Sequence, residues 1–113
     1  LIVIGCGESI KKGDTFVTNI DIRQEATTFW EEPFTDGFTT VIPKGTILQV
    51  VYPPTGGSEF FDVIVVSVKG MKEKSKIYEF FVPEGTRLRE GFQGFSFSIP
   101  SSYIGDKIEK LDN

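Results

Sequence analysis

Turn-forming residues divide this chain into short segments, and this spacing constrains the fold more than any other feature. Twelve glycines and six prolines are spread over 113 residues, and the segments between them are rich in β-branched and aromatic side chains. Such segments suit a pleated sheet, and the frequent turns are typical of short strands. The pattern therefore predicts an all-β domain of about seven or eight short strands, arranged as a small barrel or a sandwich.

The segments with this strand pattern are residues 14–22, 26–30, 38–42, 46–52, 59–68, 77–82, 92–99 and 107–111. The segment 59–68 is apolar almost throughout, which predicts a central strand that is buried on both faces. The segment 77–82 is predicted to be its hairpin partner across a polar loop. Residues 101–105 are typical of a short 3-10 turn before the last strand, and no window favours an amphipathic helix.

The length predicts a single β domain over residues 1–113, in which residues 1–13 form an extra strand or a segment close to an anchor. Apolar residues precede Gly5 and Cys6 at the N-terminus. This order resembles the end of a bacterial lipoprotein signal, which implies lipidation at Cys6 and membrane contact only through that anchor. The alternative is a first strand with a buried cysteine. A cytoplasmic location is favoured over the bacterial envelope.

The charge and the residue types argue against several classes of function. The net charge is −4, whereas nucleic-acid binders present basic surfaces, so no nucleic-acid partner is expected. There is no histidine and only one cysteine, and no calcium or phosphate-binding motif occurs. Glu31 and Glu32 are adjacent, so on a strand they would face opposite sides. The sequence therefore predicts a non-catalytic protein without a metal or another cofactor.

Three stretches resemble the Src-homology-3-like family of small barrels. Phe29 and Trp30 precede an acidic stretch, residues 41–51 combine a glycine turn with a β-branched strand, and residues 97–104 contain a Pro-x-x-Tyr sequence. The resemblance implies a small barrel with an acidic loop and a 3-10 turn before a short last strand. The chain departs from this family in two ways. The family's groove uses a tryptophan that this chain lacks, Phe60 being a nearby aromatic residue, and residues 1–22 have no counterpart in the family.

The aromatic and acidic residues from Trp30 to Asp36 form a candidate peptide-binding groove, and the resemblance implies that Pro100 and Tyr103 join it. Its aromatic rings would accept an extended, proline-containing segment, and its carboxylates would select a neighbouring arginine or lysine. The candidate residues are Trp30, Glu31, Glu32, Phe34, Asp36, Pro100 and Tyr103. The function expected is a non-catalytic module that binds a protein or an extended peptide. The alternatives are a tryptophan that anchors the barrel, and a structural or envelope-associated lipoprotein domain without a small-ligand groove.

Two further segments carry candidate binding features. The loop with Lys69, Lys72, Lys74 and Lys76 could contact an acidic partner or a membrane surface, although a solvated hairpin turn is the ordinary interpretation. Residues 91–95 are rich in glycine and phenylalanine, so a ligand backbone could stack there. The favoured interpretation is a strand bulge with its phenylalanines in the core.

Overall fold

The computed structural model describes residues 10–30, 35–83 and 92–111, which form seven strands and one α-helix. In chain order the elements are β1 (Thr15–Thr18), β2 (Ile22–Trp30), β3 (Thr35–Ile42), β4 (Ile47–Tyr52), β5 (Phe60–Ser67), helix α1 (Lys74–Phe81), β6 (Phe92–Pro100), a 3-10 turn (Ser101–Tyr103) and β7 (Ile108–Lys110). Cys6 and the other residues of segment 1–9 lie outside the described part. The lipidation site therefore stays a prediction.

All seven strands belong to one antiparallel sheet, in the order β3-β2-β6-β5-β4-β1-β7. This confirms the expectation of a mostly-β chain. The expectation of a closed barrel was wrong, because β3 and β7 are the two ends of the sheet and are not paired with each other in the described residues. The fold is one open sheet.

The open sheet must nevertheless curl. Four strand spacings separate β1 from β2, which amounts to about 19 Å in a flat sheet. The chain between Thr18 and Ile22 reaches only about 14 Å. Curling brings the β1–β2 connection against the β3–β4 turn, where the Gly45 N–H donates to the Thr18 carbonyl at 2.9 Å and the Lys44 N–H donates to Asp21 Oδ1 at 2.8 Å.

The inner face of the curled sheet holds the core. Buried positions alternate along β1, β4 and β5, as period-two packing requires. The rings of Phe16 and Phe61 lie 5.6 Å apart at their centroids. In the same core, Phe95 and Phe97 pack edge to face at 5.6 Å. The expected central position of β5 is confirmed, because β4 and β6 pair with its two edges. The expected burial on both faces was wrong, because only alternate residues of β5 are buried and Phe60 is 51% exposed.

A buried threonine joins the two connections at the curled end. Thr18 Oγ1 donates to the Pro43 carbonyl at 2.7 Å and accepts the Thr46 N–H at 3.0 Å. Thr18 is 2% exposed, and its two partners also bond to each other, because the Thr46 N–H reaches the Pro43 carbonyl at 3.2 Å. The hydroxyl therefore holds β1 against the β3–β4 turn.

Thr18→Val tests this connection. The variant keeps the shape of the side chain but removes the shorter of the two bonds of the Thr46 N–H, which keeps the Pro43 carbonyl at 3.2 Å as an acceptor. We therefore expect the free energy of unfolding to fall by about 0.5–1.5 kcal/mol, as for the loss of a satisfied hydrogen bond. Urea denaturation measures the change. Thr27→Val is the control, because Thr27 is an exposed β2 residue. Equal effects of the two substitutions would show that the Thr18 hydroxyl contributes nothing specific.

The predicted strand over residues 77–82 was wrong, because this segment belongs to helix α1. Ile77 and Phe81 are buried one helical turn apart, at 3% and 2% exposure, and this i, i+4 spacing outweighs the β-forming residue types around it. The helix ends before Val82, which has an extended backbone as expected for a residue that precedes proline. The polar loop is correspondingly shorter than predicted.

The single strand predicted over residues 14–22 was also wrong. The chain turns at residues 19–21 and divides the segment between β1 and β2. Phe16 and Thr18 are buried in β1, but Ile20 lies in the turn and is 46% exposed. The predicted 3-10 turn and the short last strand are confirmed by Ser101–Tyr103 and β7.

Candidate functional site

The site predicted from the sequence divides into two groups at opposite ends of β6. Trp30 ends β2, and its backbone pairs with Phe92 at the start of β6. Pro100 ends β6 and pairs with Phe60, about 26 Å of strand further on. The strand pairing therefore does not bring the backbones of Trp30 and Pro100 to one place.

The remaining predicted residues add little to either group. The backbone of Asp36 pairs with Thr28 in β2, and Glu31, Glu32 and Phe34 lie outside the described residues. At the other end, the ammonium group of Lys107 lies 4.3 Å from the centroid of the Tyr103 ring. This cation–π contact already uses one face of Tyr103.

A different site lies where β5 and β6 diverge. The two strands pair only from Phe60↔Pro100 to Val63↔Phe97. Beyond that point β5 continues along β4, whereas the first half of β6 pairs with β2. Helix α1 packs at this divergence, because the Phe81 ring contacts the rings of both Phe95 and Phe97, at 5.7 and 6.0 Å.

The divergence leaves an open groove of about 420 Å³. Four strands and the helix contribute its lining, which consists of Phe29, Val51, Tyr52, Ile64, Val65, Lys74, Ile77, Tyr78, Gln93, Gly94, Phe95 and Ser96. This volume lies within the range of about 300–1,000 Å³ that is usual for ligand sites. We call it the β5–β6 groove.

Aromatic side chains and one cation dominate the surface of the β5–β6 groove. Tyr52 is 66% exposed and Phe29 is 37% exposed, and both belong to the lining. Lys74 is the one charged residue among the lining residues that the structure describes. The groove can therefore offer apolar contact area, the phenol groups of Tyr52 and Tyr78 and a single positive charge.

Gly94 allows Tyr78 to close over β6. The Tyr78 ring packs edge to face against Phe92 at 5.0 Å and against Phe95 at 5.6 Å. Gly94 has a φ of +120°, and a Cβ atom at this position would lie 3.0 Å from the Tyr78 hydroxyl. The residue opposes Phe29 next to a shift in the β2–β6 register, which confirms the predicted strand bulge within residues 91–95.

Burial raises the pKa of the Tyr78 phenol above its ordinary value of 10.0. An unfolded chain therefore loses this proton at a lower pH than the folded protein does. The resulting stabilisation is fully present below about pH 10 and is lost as the pH rises through the raised pKa. We expect urea midpoints to fall more steeply above pH 10 for the wild type than for Tyr78→Phe. Parallel curves would contradict a buried, protonated phenol.

The hydrogen bonds at the end of β6 establish which backbone groups face β5. The Ser101 N–H donates to the Glu59 carbonyl at 2.6 Å. The Ser98 carbonyl instead accepts a hydrogen bond from Gln24 Nε2 of β2 at 3.0 Å. Successive residues of a strand point their N–H and C=O groups to opposite edges, so the odd-numbered residues of β6 face β5.

The alternation of backbone direction along β5 and β6 places the N–H and C=O groups of one residue from each strand in the groove. Val63 and Phe97 form the last pair between the strands. The next residues with inward-facing groups are Val65 and Phe95, and no backbone pairing joins them within the described part of the chain. Both residues line the groove and are largely buried, at 9% and 5% exposure. Buried N–H and C=O groups require hydrogen-bond partners, so these groups are suited to receive a ligand backbone.

Sequence reasoning found parts of this groove but did not assemble them. Lys74 was a candidate within the lysine loop, and Gly94 was a candidate bulge residue. Tyr52 and Tyr78 were missed. The signal for Tyr78 was the Ile77/Phe81 spacing, because a helix over these residues would place Tyr78 beside the buried stripe.

The lysine loop differs from its predicted form. Backbone hydrogen bonds between Val68 and Met71, at 3.0 and 2.8 Å, close a tight turn around Lys69. Met71 is half-buried and packs against the core. Lys74 and Lys76 belong to helix α1, and only Lys74 lines the β5–β6 groove.

The described ranges contain no cluster of three or more His, Cys, Asp or Glu residues arranged to hold a metal ion. In the same ranges no helix has the length and apolar character needed to cross a membrane. Comparisons with protein-family models, with curated proteins and with solved structures found no match.

Proposed function

We propose that this chain is a non-catalytic module that binds a protein or an extended peptide in the β5–β6 groove. The observation that carries the proposal is the exposure of Tyr52 and Phe29 at an open groove of about 420 Å³. Solvent-exposed aromatic side chains beside a groove are typical anchors for a binding partner. Helix α1 and the sheet form its two walls.

We also propose a distant relation to Src-homology-3-like small barrels, limited to the C-terminal part of the chain. Pro100, the 3-10 turn and β7 follow one another as the resemblance implies. The open seven-stranded sheet and helix α1 depart from that pattern. The proline-selective groove is a weaker proposal, because the β6 register separates the backbones of Trp30 and Pro100.

A panel of fluorescein-labelled heptapeptides tests the binding function. The panel contains a proline-rich peptide with arginine, and alternating valine–threonine peptides that end in glutamate or in lysine. We expect saturable fluorescence anisotropy with at least one peptide, and changes in the amide resonances of Tyr52 and Gly94 in the labelled protein. Tyr52→Ala should weaken binding about tenfold, as for an anchor worth about 1.4 kcal/mol.

Phe60→Ala is the matched control. Phe60 is a 51% exposed aromatic residue of the same sheet but does not line the groove, so its removal should leave the affinity unchanged. Equal losses for Tyr52→Ala and Phe60→Ala would contradict binding in this groove. Absence of binding by every peptide at about 1 mM would contradict the peptide-binding function.

A further inference from the structure

We infer that the ligand enters the β5–β6 groove as an additional strand between β5 and β6, with an acidic residue directed to Lys74. This inference rests on the proposed function and specifies its partner as an extended segment that combines apolar side chains with a carboxylate. The partner would hydrogen-bond through its backbone, and its side chains would contact the aromatic lining. Recognition would therefore depend on extended conformation as much as on residue type.

The backbone geometry requires an extended ligand. β5 and β6 have the antiparallel pairing of a continuous ladder up to Val63↔Phe97, and their edges then separate. Val65 and Phe95 direct N–H and C=O groups into the space between these edges. A helix satisfies its own backbone groups and could not pair with either edge, whereas an extended segment offers donors and acceptors on both sides.

The charge of the groove selects an acidic partner. Lys74 is its one charged residue within the described lining. The chain as a whole carries a net charge of −4, so this positive site differs from the average surface. An acidic side chain beside Lys74 would form a charge-assisted hydrogen bond, and a lysine there would be repelled.

The first test measures charge selection with the two valine–threonine heptapeptides, which differ only in their final glutamate or lysine. We expect the glutamate peptide to bind at least about tenfold more tightly to the wild type. Lys74→Glu should reverse this preference. Lys76→Glu is the control on the same helix, and it should change neither affinity by more than about twofold.

The second test measures the backbone bonds by amide hydrogen exchange. Saturation with the glutamate peptide should slow exchange of the Val65 and Phe95 amides at least about tenfold. The Ile64 amide faces β4, where the register pairs Ile64 with Gln49, so its exchange should not change. N-methylation of the central amides of the peptide should abolish binding, and N-methylation of its first residue should have little effect.

The outcomes separate this inference from the general binding function. Binding that shifts Tyr52 and Gly94 resonances but leaves Val65 and Phe95 exchange unchanged would overturn strand insertion and leave the binding function in place. Failure of all peptides to bind would overturn both. Slowed exchange of Val65 and Phe95 that depends on protein concentration, without peptide, would identify a second copy of the chain as the occupant and overturn the acidic-peptide assignment.

Discussion

Phe81→Ala should remove about 3–5 kcal/mol from the free energy of unfolding. Phe81 is 2% exposed, and its ring contacts the rings of Phe95 and Phe97. Helix α1 has only eight residues, and a helix of that length is not stable without packing. The substitution would therefore leave a cavity under the helix and weaken one wall of the β5–β6 groove. Since domains of this size have total stabilities of about 5–15 kcal/mol, urea denaturation would detect the loss easily.

Phe80→Ala is the matched control for this prediction. Phe80 is the preceding residue of the same helix and is 39% exposed, so the same change of residue type should cost about 1 kcal/mol or less. Helix propensity changes equally in the two variants, because phenylalanine is replaced by alanine in both. Equal destabilisation by the two substitutions would contradict the packing of Phe81 beneath α1.

The turn residues and the alternation of side chains predicted most of the strands. Turn formation and side-chain alternation depend on neighbouring residues only, so they can be recognised in a single sequence. Examples are the turns at Gly45 and at Pro53–Pro54, and the alternating serines of β6. The helix was missed because Ile77, Tyr78, Phe80 and Phe81 are residue types that also favour strands. Whether this segment forms a helix or a strand depends on its packing against the Phe95 and Phe97 rings, which lie more than ten residues further along the chain.

The groove could not be predicted, because it arises from the pairing partners of β6. A single sequence shows that residues 92–99 form a strand but does not show that the first half pairs with β2 and the second with β5. For the same reason the aromatic and acidic candidates were grouped by family resemblance. The register places Trp30 of β2 beside one end of β6, whereas Pro100 forms the other end of β6. Local sequence rules do not specify which distant strands become neighbours.

Gly94→Ala should destabilise the protein by about 2–4 kcal/mol and impair the β5–β6 groove. The φ of +120° is unfavourable for any residue with a Cβ atom, and that atom would lie 3.0 Å from the Tyr78 hydroxyl. Tyr78 cannot easily move away, because its ring is held between Phe92 and Phe95. The backbone strain and the steric contact with Tyr78 therefore add at this position, and urea denaturation measures their combined effect on the free energy of unfolding.

Gly105→Ala and Tyr78→Phe separate the backbone strain from the steric contact with the Tyr78 hydroxyl. Gly105 also has a positive φ, +89°, but a Cβ there would meet no atom within 4 Å, so its substitution reports the backbone cost alone. In a Tyr78→Phe background the hydroxyl is absent, and the cost of Gly94→Ala should fall towards that of Gly105→Ala. The coupling between the two sites, obtained from a double-mutant cycle, should be about 1 kcal/mol. A coupling near zero would mean that Tyr78 does not lie over Gly94, and the groove would then lack the wall that the Tyr78 ring provides.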